Sequence, residues 1–90
     1  MFKSTREFDA AVYSVLKSLI ESGSLGESLP GIEKADFDDV CEHIIKTGFV
    51  KGLSCSRTMG DSLVIERKAD PRITRTGLTF VERIERTEED

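Results

Sequence analysis

The feature that most constrains this chain is a change of hydrophobic period partway along it. Phe8, Ala11, Val12, Val15, Leu16, Leu19 and Ile20 recur at the spacing that stacks side chains on one face of an α-helix. The same spacing returns with Phe37, Val40, Cys41, Ile44 and Ile45. After Gly48 it gives way to a strand-like segment, Phe49–Ser56, in which Phe49, Leu53 and Cys55 share one face; Ser62–Arg67 reads as a second strand. Helical spacing then closes the chain with Leu78, Val81 and Ile84. Helices on either side of a single hairpin imply an α+β architecture.

The element boundaries carry their own signals. Ser4-Thr5-Arg6-Glu7 has the form of a capping box, in which the Ser4 hydroxyl accepts from the Glu7 amide while Glu7 reaches back. Gly23 can supply the left-handed residue that stops a helix, so a first helix is expected from about Thr5 to Ser22. Gly26, Pro30 and Gly31 punctuate Ser24–Ile32 and leave room for one helical turn around Leu25–Leu29, a degenerate second helix. A third helix is expected from about Lys34 to Gly48, with Asp38, Asp39, Glu42 and Lys46 facing outward. Asp36, Asp38 and Asp39 crowd its first turns, where the helix dipole favours carboxylates. Arg57-Thr58-Met59-Gly60-Asp61 reads as a hairpin loop in which Gly60 can take positive φ. Asp70-Pro71 is a turn signal, Thr74-Arg75-Thr76-Gly77 caps the final helix, and Glu88-Glu89-Asp90 is expected to fray.

Ninety residues make one small domain, with its core over about residues 4–86. At 38% hydrophobic and 33% charged, the composition is that of a soluble globular domain and not of a disordered chain. No run approaches the roughly 18 apolar residues of a membrane span, and charges interrupt Met1–Lys17 where a signal peptide would be apolar. A cytoplasmic protein with no membrane partner is therefore expected. Cys41, His43 and Cys55 fall one ligand short of a structural zinc site, so two reduced, packing thiols are expected. Asp36, Asp38, Asp39 and Glu42 lack the spacing of a calcium loop and read as a solvated helix face. The sequence shows neither a nucleophile with its base nor a phosphate-cradling loop, so the expected protein is non-catalytic, without cofactor or metal.

The order helix, short helix, helix, hairpin, helix resembles a winged helix-turn-helix domain: a three-helix core, a two-stranded hairpin as the wing and a C-terminal helix. Phe37-Asp38-Asp39-Val40 through Ile44-Ile45-Lys46-Thr47-Gly48-Phe49-Val50-Lys51-Gly52 looks like a third helix running through a glycine stop into a wing strand. Ile73-Thr74-Arg75-Thr76-Gly77-Leu78-Thr79-Phe80-Val81 resembles the segment that follows the wing in many such proteins. Over about Ser4–Glu85 the chain is similar to the YjcQ family of small bacterial and phage-associated winged-helix proteins. That resemblance implies a DNA-binding role, or more broadly one in transcription regulation.

Charge by segment bears on that implication. The net charge is -4, yet Lys51–Arg75 holds six basic residues against three acidic ones, for +3. Glu33–Val50 holds two against five, for -3. A helix in the major groove lies between rows of phosphates, where each uncompensated carboxylate is unfavourable. The wing and its exit are therefore the expected contact with DNA, through Lys51, Arg57, Thr58, Arg67, Lys68, Arg72 and Arg75. His43, Lys46 and Thr47 on the third helix would supply limited readout. The alternative is a protein-interaction module in which Asp38, Asp39 and Glu42 dock on a basic partner. Homodimerisation through the first helix and Leu78–Ile84 is a third reading, resting on Phe2 and on Tyr13 at the edge of the apolar stripe.

Overall fold

A computed structural model describes residues 2–26, 29, 31–60 and 62–88, the last by its backbone alone. Its elements are α1 (Thr5–Ser22), α2 (Lys34–Thr47), β1 (Val50–Arg57), β2 (Leu63–Ile73) and α3 (Arg75–Glu88). α1 starts as its sequence implies: Ser4 Oγ accepts from the Glu7 amide at 3.2 Å, and the Glu7 carboxylate accepts from the Lys3 amide at 2.9 Å. Val12, Val15 and Leu16 are fully buried, each contributing about 1.5–3 kcal/mol of apolar transfer. They pack against Val40, Cys41 and Ile44 of α2 and Phe80 and Val81 of α3, in one core that also takes in Phe49 and Val50. Phe2 closes one end of this core, packing edge-on to Phe8 at 5.1 Å.

Several expectations change. The single turn expected around Leu25–Leu29 falls across Glu27 and Ser28, outside the described residues, and Leu25, Gly26 and Leu29 beside them are not helical. The end of the tail, Glu89-Asp90, also lies outside them, while the last helix continues to Glu88. Leu78 and Ile20 lie on outer surfaces, 42% and 45% exposed, because Gly77 and Phe80 take the inward positions on α3 and Leu19 ends the buried stripe of α1. Asp38 is buried and not outward. Tyr13 faces the chain's own α3, where its hydroxyl donates to Glu85 Oε2 at 3.0 Å.

The hairpin departs most from its sequence reading. β2 does not stop at Arg67 but continues to Ile73, and it pairs with β1 in two registers. Leu53↔Arg67 through Arg57↔Leu63 form the outer ladder, while Val50↔Ile73 and Lys51↔Arg72 form the inner one. Between them the four residues Lys68–Pro71 stand opposite the single residue Gly52. The Asp70-Pro71 turn signal is thus spent on a bulge within the strand. Gly52 makes the bulge possible: its φ is 89°, and a Cβ there would come within 2.7 Å of the Asp70 carbonyl oxygen. Gly60 in the loop does not take the positive φ. The loop closes through Thr58, whose amide donates to the Ser62 carbonyl and whose hydroxyl accepts from the Ser62 amide.

Thr74 joins the hairpin to the helices. Its hydroxyl donates to the Gly48 carbonyl at 2.6 Å and accepts from the Gly77 amide at 3.2 Å, capping α3 as the Thr-x-x-Gly segment implies. Its amide donates to the Phe49 carbonyl at 2.8 Å. Gly77 lies against that same carbonyl, where a side chain could not fit. The entry and exit of the hairpin are therefore fixed to the end of α2 and the start of α3.

Candidate functional site

β1 runs back along α2, and this brings the hairpin tip onto the acidic helix. Arg57, at the end of β1, donates from Nε to Glu42 Oε2 at 3.1 Å and from Nη2 to Asp39 Oδ1 at 2.9 Å. Lys46, one turn beyond Glu42, lies 3.7 Å from the same Glu42 oxygen. Two carboxylates thus meet two cations on the outer face of α2. The hydrogen bond from Arg57, followed by the charges of Arg57 and Lys46, holds the Glu42 carboxyl below the usual carboxylate range.

The third acidic residue is not on that face. Asp38 turns toward the core and pairs with Lys34 at 2.6 Å, one helical turn earlier. The acidic surface expected from Asp38, Asp39 and Glu42 is therefore divided, and its exposed part is neutralised from within. His43 is exposed but lies edge-on between Phe8 and Phe49, 5.1 and 5.9 Å from their ring centroids. Thr47 Oγ1 is 3.5 Å from His43 Nδ1.

The basic residues of the hairpin separate into two groups. Arg67 pairs with Asp70 within the bulged strand, and Lys68 with Glu66 at 2.8 Å. The hydrogen bond between the latter pair lowers the Glu66 carboxyl and raises the Lys68 amine. Lys51, Arg72 and Arg75, in contrast, are exposed and form no ion pair among the described residues. Lys51 and Arg72 are directly opposite each other across the ladder, a juxtaposition of like charges that costs stability, about 0.2–1 kcal/mol by the usual size of cross-strand terms. With Gly52, Ala69 and Asp70 they border a shallow recess at the bulge, where the Asp70 carboxylate is engaged by Arg67.

The structure therefore gathers Arg57, Lys46, Asp39 and Glu42 into one neutral cluster and places Lys51 beside Arg72 at the hairpin base. It gives Thr58 a role in closing the loop. The Lys51–Arg72 pairing is not legible in sequence, because counting back from the loop in the outer register places Gly52 against Lys68 and hides the shift. Arg83 carries a signal visible in the sequence: it falls two helical turns after Arg75, with Thr79 between them, on one side of α3. Both thiols are free, with Cys41 buried and Cys55 half-buried. Burial, helped by the neighbouring Asp38, pushes the Cys41 thiol up to about 11. Among the described residues no three His, Cys, Asp or Glu side chains are placed to share a metal ion, and no helix is long and apolar enough to cross a membrane. Comparison of the chain with protein-family models, with curated proteins and with solved structures finds no match.

Proposed function

We propose that this chain is a small, non-catalytic DNA-binding protein of winged-helix layout that contacts the phosphate backbone through the base of its hairpin. Lys51 and Arg72 are the principal contacts, with Arg75 at the start of α3. The observation that carries this reading is the opposed Lys51–Arg72 pair. Two exposed cations set side by side without a counter-ion repel each other in the free protein, and a phosphate between them converts that repulsion into attraction. Neutralisation of Asp39 and Glu42 by Arg57 and Lys46 supports the same reading, since it removes the repulsion that an acidic helix would present to DNA. A basic protein partner docking on α2 would have to displace both cations, which makes the acidic-helix interaction module the weaker alternative. Arg57, Arg67 and Lys68 are left as internal partners of carboxylates, and His43, Lys46 and Thr47 contribute little base readout. The expected binding is thus weakly sequence-dependent and steeply salt-dependent. A fluorescence anisotropy titration of mixed-sequence duplex DNA at low salt tests it. Replacing Lys51 and Arg72 together by alanine should weaken binding and flatten the plot of log K against log salt by about 2. Absence of binding at low salt, or binding indifferent to the double substitution, rejects the proposal.

A further inference from the structure

A second recess, distinct from the one at the bulge, lies between Phe49 and one side of α3. It has a volume of about 360 Å3 and is lined by Phe49, Arg75, Thr76, Thr79, Phe80 and Arg83. Its apolar floor comes from the rings of Phe49 and Phe80, whose centroids are 5.1 Å apart with a 30° tilt. Arg75 and Arg83 stand along its α3 wall, separated by roughly 12 Å of helix at 1.5 Å per residue. Neither forms an ion pair among the described residues. The Arg83 guanidinium is held over the Phe80 ring, 5.3 Å from its centroid. Thr79 donates its hydroxyl proton to the Arg75 carbonyl at 2.8 Å, leaving the oxygen's lone pairs as acceptors toward the groove.

A groove with an apolar floor, two hydroxyls and two guanidiniums lacking counter-ions is complementary to one kind of small molecule. We propose that it binds a small organic anion with a planar apolar body, of the aromatic carboxylate class. Arg83 is the main anchor: cation–π contact already restrains its side chain, so pairing with a carboxylate costs it less conformational freedom than it would cost a freely moving arginine. The guanidinium fork matches a carboxylate in bidentate geometry, while the ring edges of Phe49 and Phe80 meet the apolar body. Arg75 and Thr76 close the other end. The volume falls within the range of small-molecule sites. Arg75 lies at both proposed sites, but Lys51 and Arg72, the principal phosphate contacts, border a different recess and touch none of this lining.

The test is a titration of the uniformly nitrogen-labelled full chain with sodium naphthoate, followed by amide chemical shifts. Saturable shifts centred on Thr76, Thr79, Phe80 and Arg83 are expected. Arg83→Gln, on an exposed side chain whose loss leaves the core intact, should weaken binding by about tenfold or more, the usual size of a charge-assisted contact. Naphthalene methanol, with the same body and no charge, and inorganic phosphate, with charge and no body, should each bind at least about tenfold more weakly than naphthoate. Joint replacement of Lys51 and Arg72 by alanine should leave naphthoate binding unchanged while weakening DNA binding, so the failure of one reading is distinguishable from the failure of the other. Four results overturn the proposal: no saturable shift, shifts scattered over the whole chain, unaltered affinity in Arg83→Gln, or equal affinity for naphthoate and either comparison compound.

Discussion

Arg57 is the residue whose removal separates most clearly the roles a basic hairpin tip can have. Its guanidinium makes contacts to Glu42 at 3.1 and 3.4 Å and to Asp39 at 2.9 Å. The Arg57 and Glu42 side chains are 26% and 24% exposed, whereas Asp39 is 58% exposed. Fully exposed ion pairs contribute about 0.2–1 kcal/mol. The lower exposure and the double contact make Arg57–Glu42 the stronger of the two couplings and Arg57–Asp39 the weaker. Lys46 beside Glu42 limits the loss by giving the carboxylate a remaining partner. A double-mutant cycle of Arg57→Ala and Glu42→Ala in urea denaturation isolates the first term. In thermal melts of a chain this size, each kcal/mol corresponds to about 4–8 °C. A coupling energy below about 0.3 kcal/mol, the usual scatter of additivity, would refute the claim that Arg57 is held by the helix.

The same substitution has a distinct consequence for DNA. With Arg57 gone, Asp39 loses this cation and Glu42 keeps Lys46, so the helix face becomes acidic and the proposed DNA binding should weaken. Neutralising both carboxylates in the Arg57→Ala background, by Asp39→Asn and Glu42→Gln, should restore it. A direct Arg57–phosphate contact predicts otherwise: no recovery, and a salt dependence lower by about 1. An unchanged titration in Arg57→Ala would count against both accounts and remove α2 from the interface.

Further consequences follow from single residues. Gly52→Ala should destabilise the hairpin by about 1 kcal/mol or more, because an L-residue is strained at positive φ and its Cβ meets the Asp70 carbonyl; a melting temperature equal to that of the parent would show that the bulge is not fixed there. Ile44→Ala, at a fully buried site, should cost about 2–5 kcal/mol in urea, and a loss below about 1 kcal/mol would contradict the packing of α2. Glu42 ionises below its ordinary value in the fold, so its contribution is complete above the ordinary carboxylate range and disappears as pH falls through the lowered value. Glu42→Gln should accordingly flatten the acid limb of a urea midpoint-against-pH curve, and an unaltered limb would exclude Glu42 as a source of that dependence. With its thiol pushed up to about 11, Cys41 should resist an aromatic disulfide reagent in the native state while Cys55 reacts, and rapid reaction of both thiols would contradict the burial.

How much the sequence disclosed depended on the range over which each decision is made. The ends of α1 and the cap of α3 are local: Ser4, Gly23 and Thr74 satisfy backbone groups within a few residues, so their roles are readable from short strings. The burial of the α1 stripe follows from periodicity alone, except at its margin, where Ile20 needs the third dimension to show that nothing covers it. The inward turn of Asp38 is not legible, because helical position does not say whether a lysine that stays exposed one turn back will pair with a carboxylate turned toward the core. The bulge is hidden for a related reason. Asp70-Pro71 correctly marks a break in regular pairing, but whether a strand ends there or resumes depends on Gly52, whose separation in sequence conceals its approach. Arg57 is the furthest case, since its partners lie on another element and only the path of β1 along α2 brings them together.

Net charge enters function through these pairings and not through the total. At -4 the chain as a whole repels a polyanion weakly, but the Debye length at physiological ionic strength is about 8 Å, so the charges adjacent to a bound phosphate decide the local energy. Where the hairpin tip meets α2, opposite charges cancel; where the inner ladder resumes after the bulge, Lys51 and Arg72 do not. Moving the resumed register by one residue would place Lys51 opposite Pro71 or Ile73 and remove the like-charge contact. The three additional residues of β2 align two cations across the ladder, neither of which forms an ion pair among the described residues. Replacing Lys51 by threonine should therefore stabilise the free protein at low salt by a few tenths of a kcal/mol while weakening the DNA binding proposed for it. Opposite signs in the two measurements are what distinguish a charge retained for binding from one retained for folding.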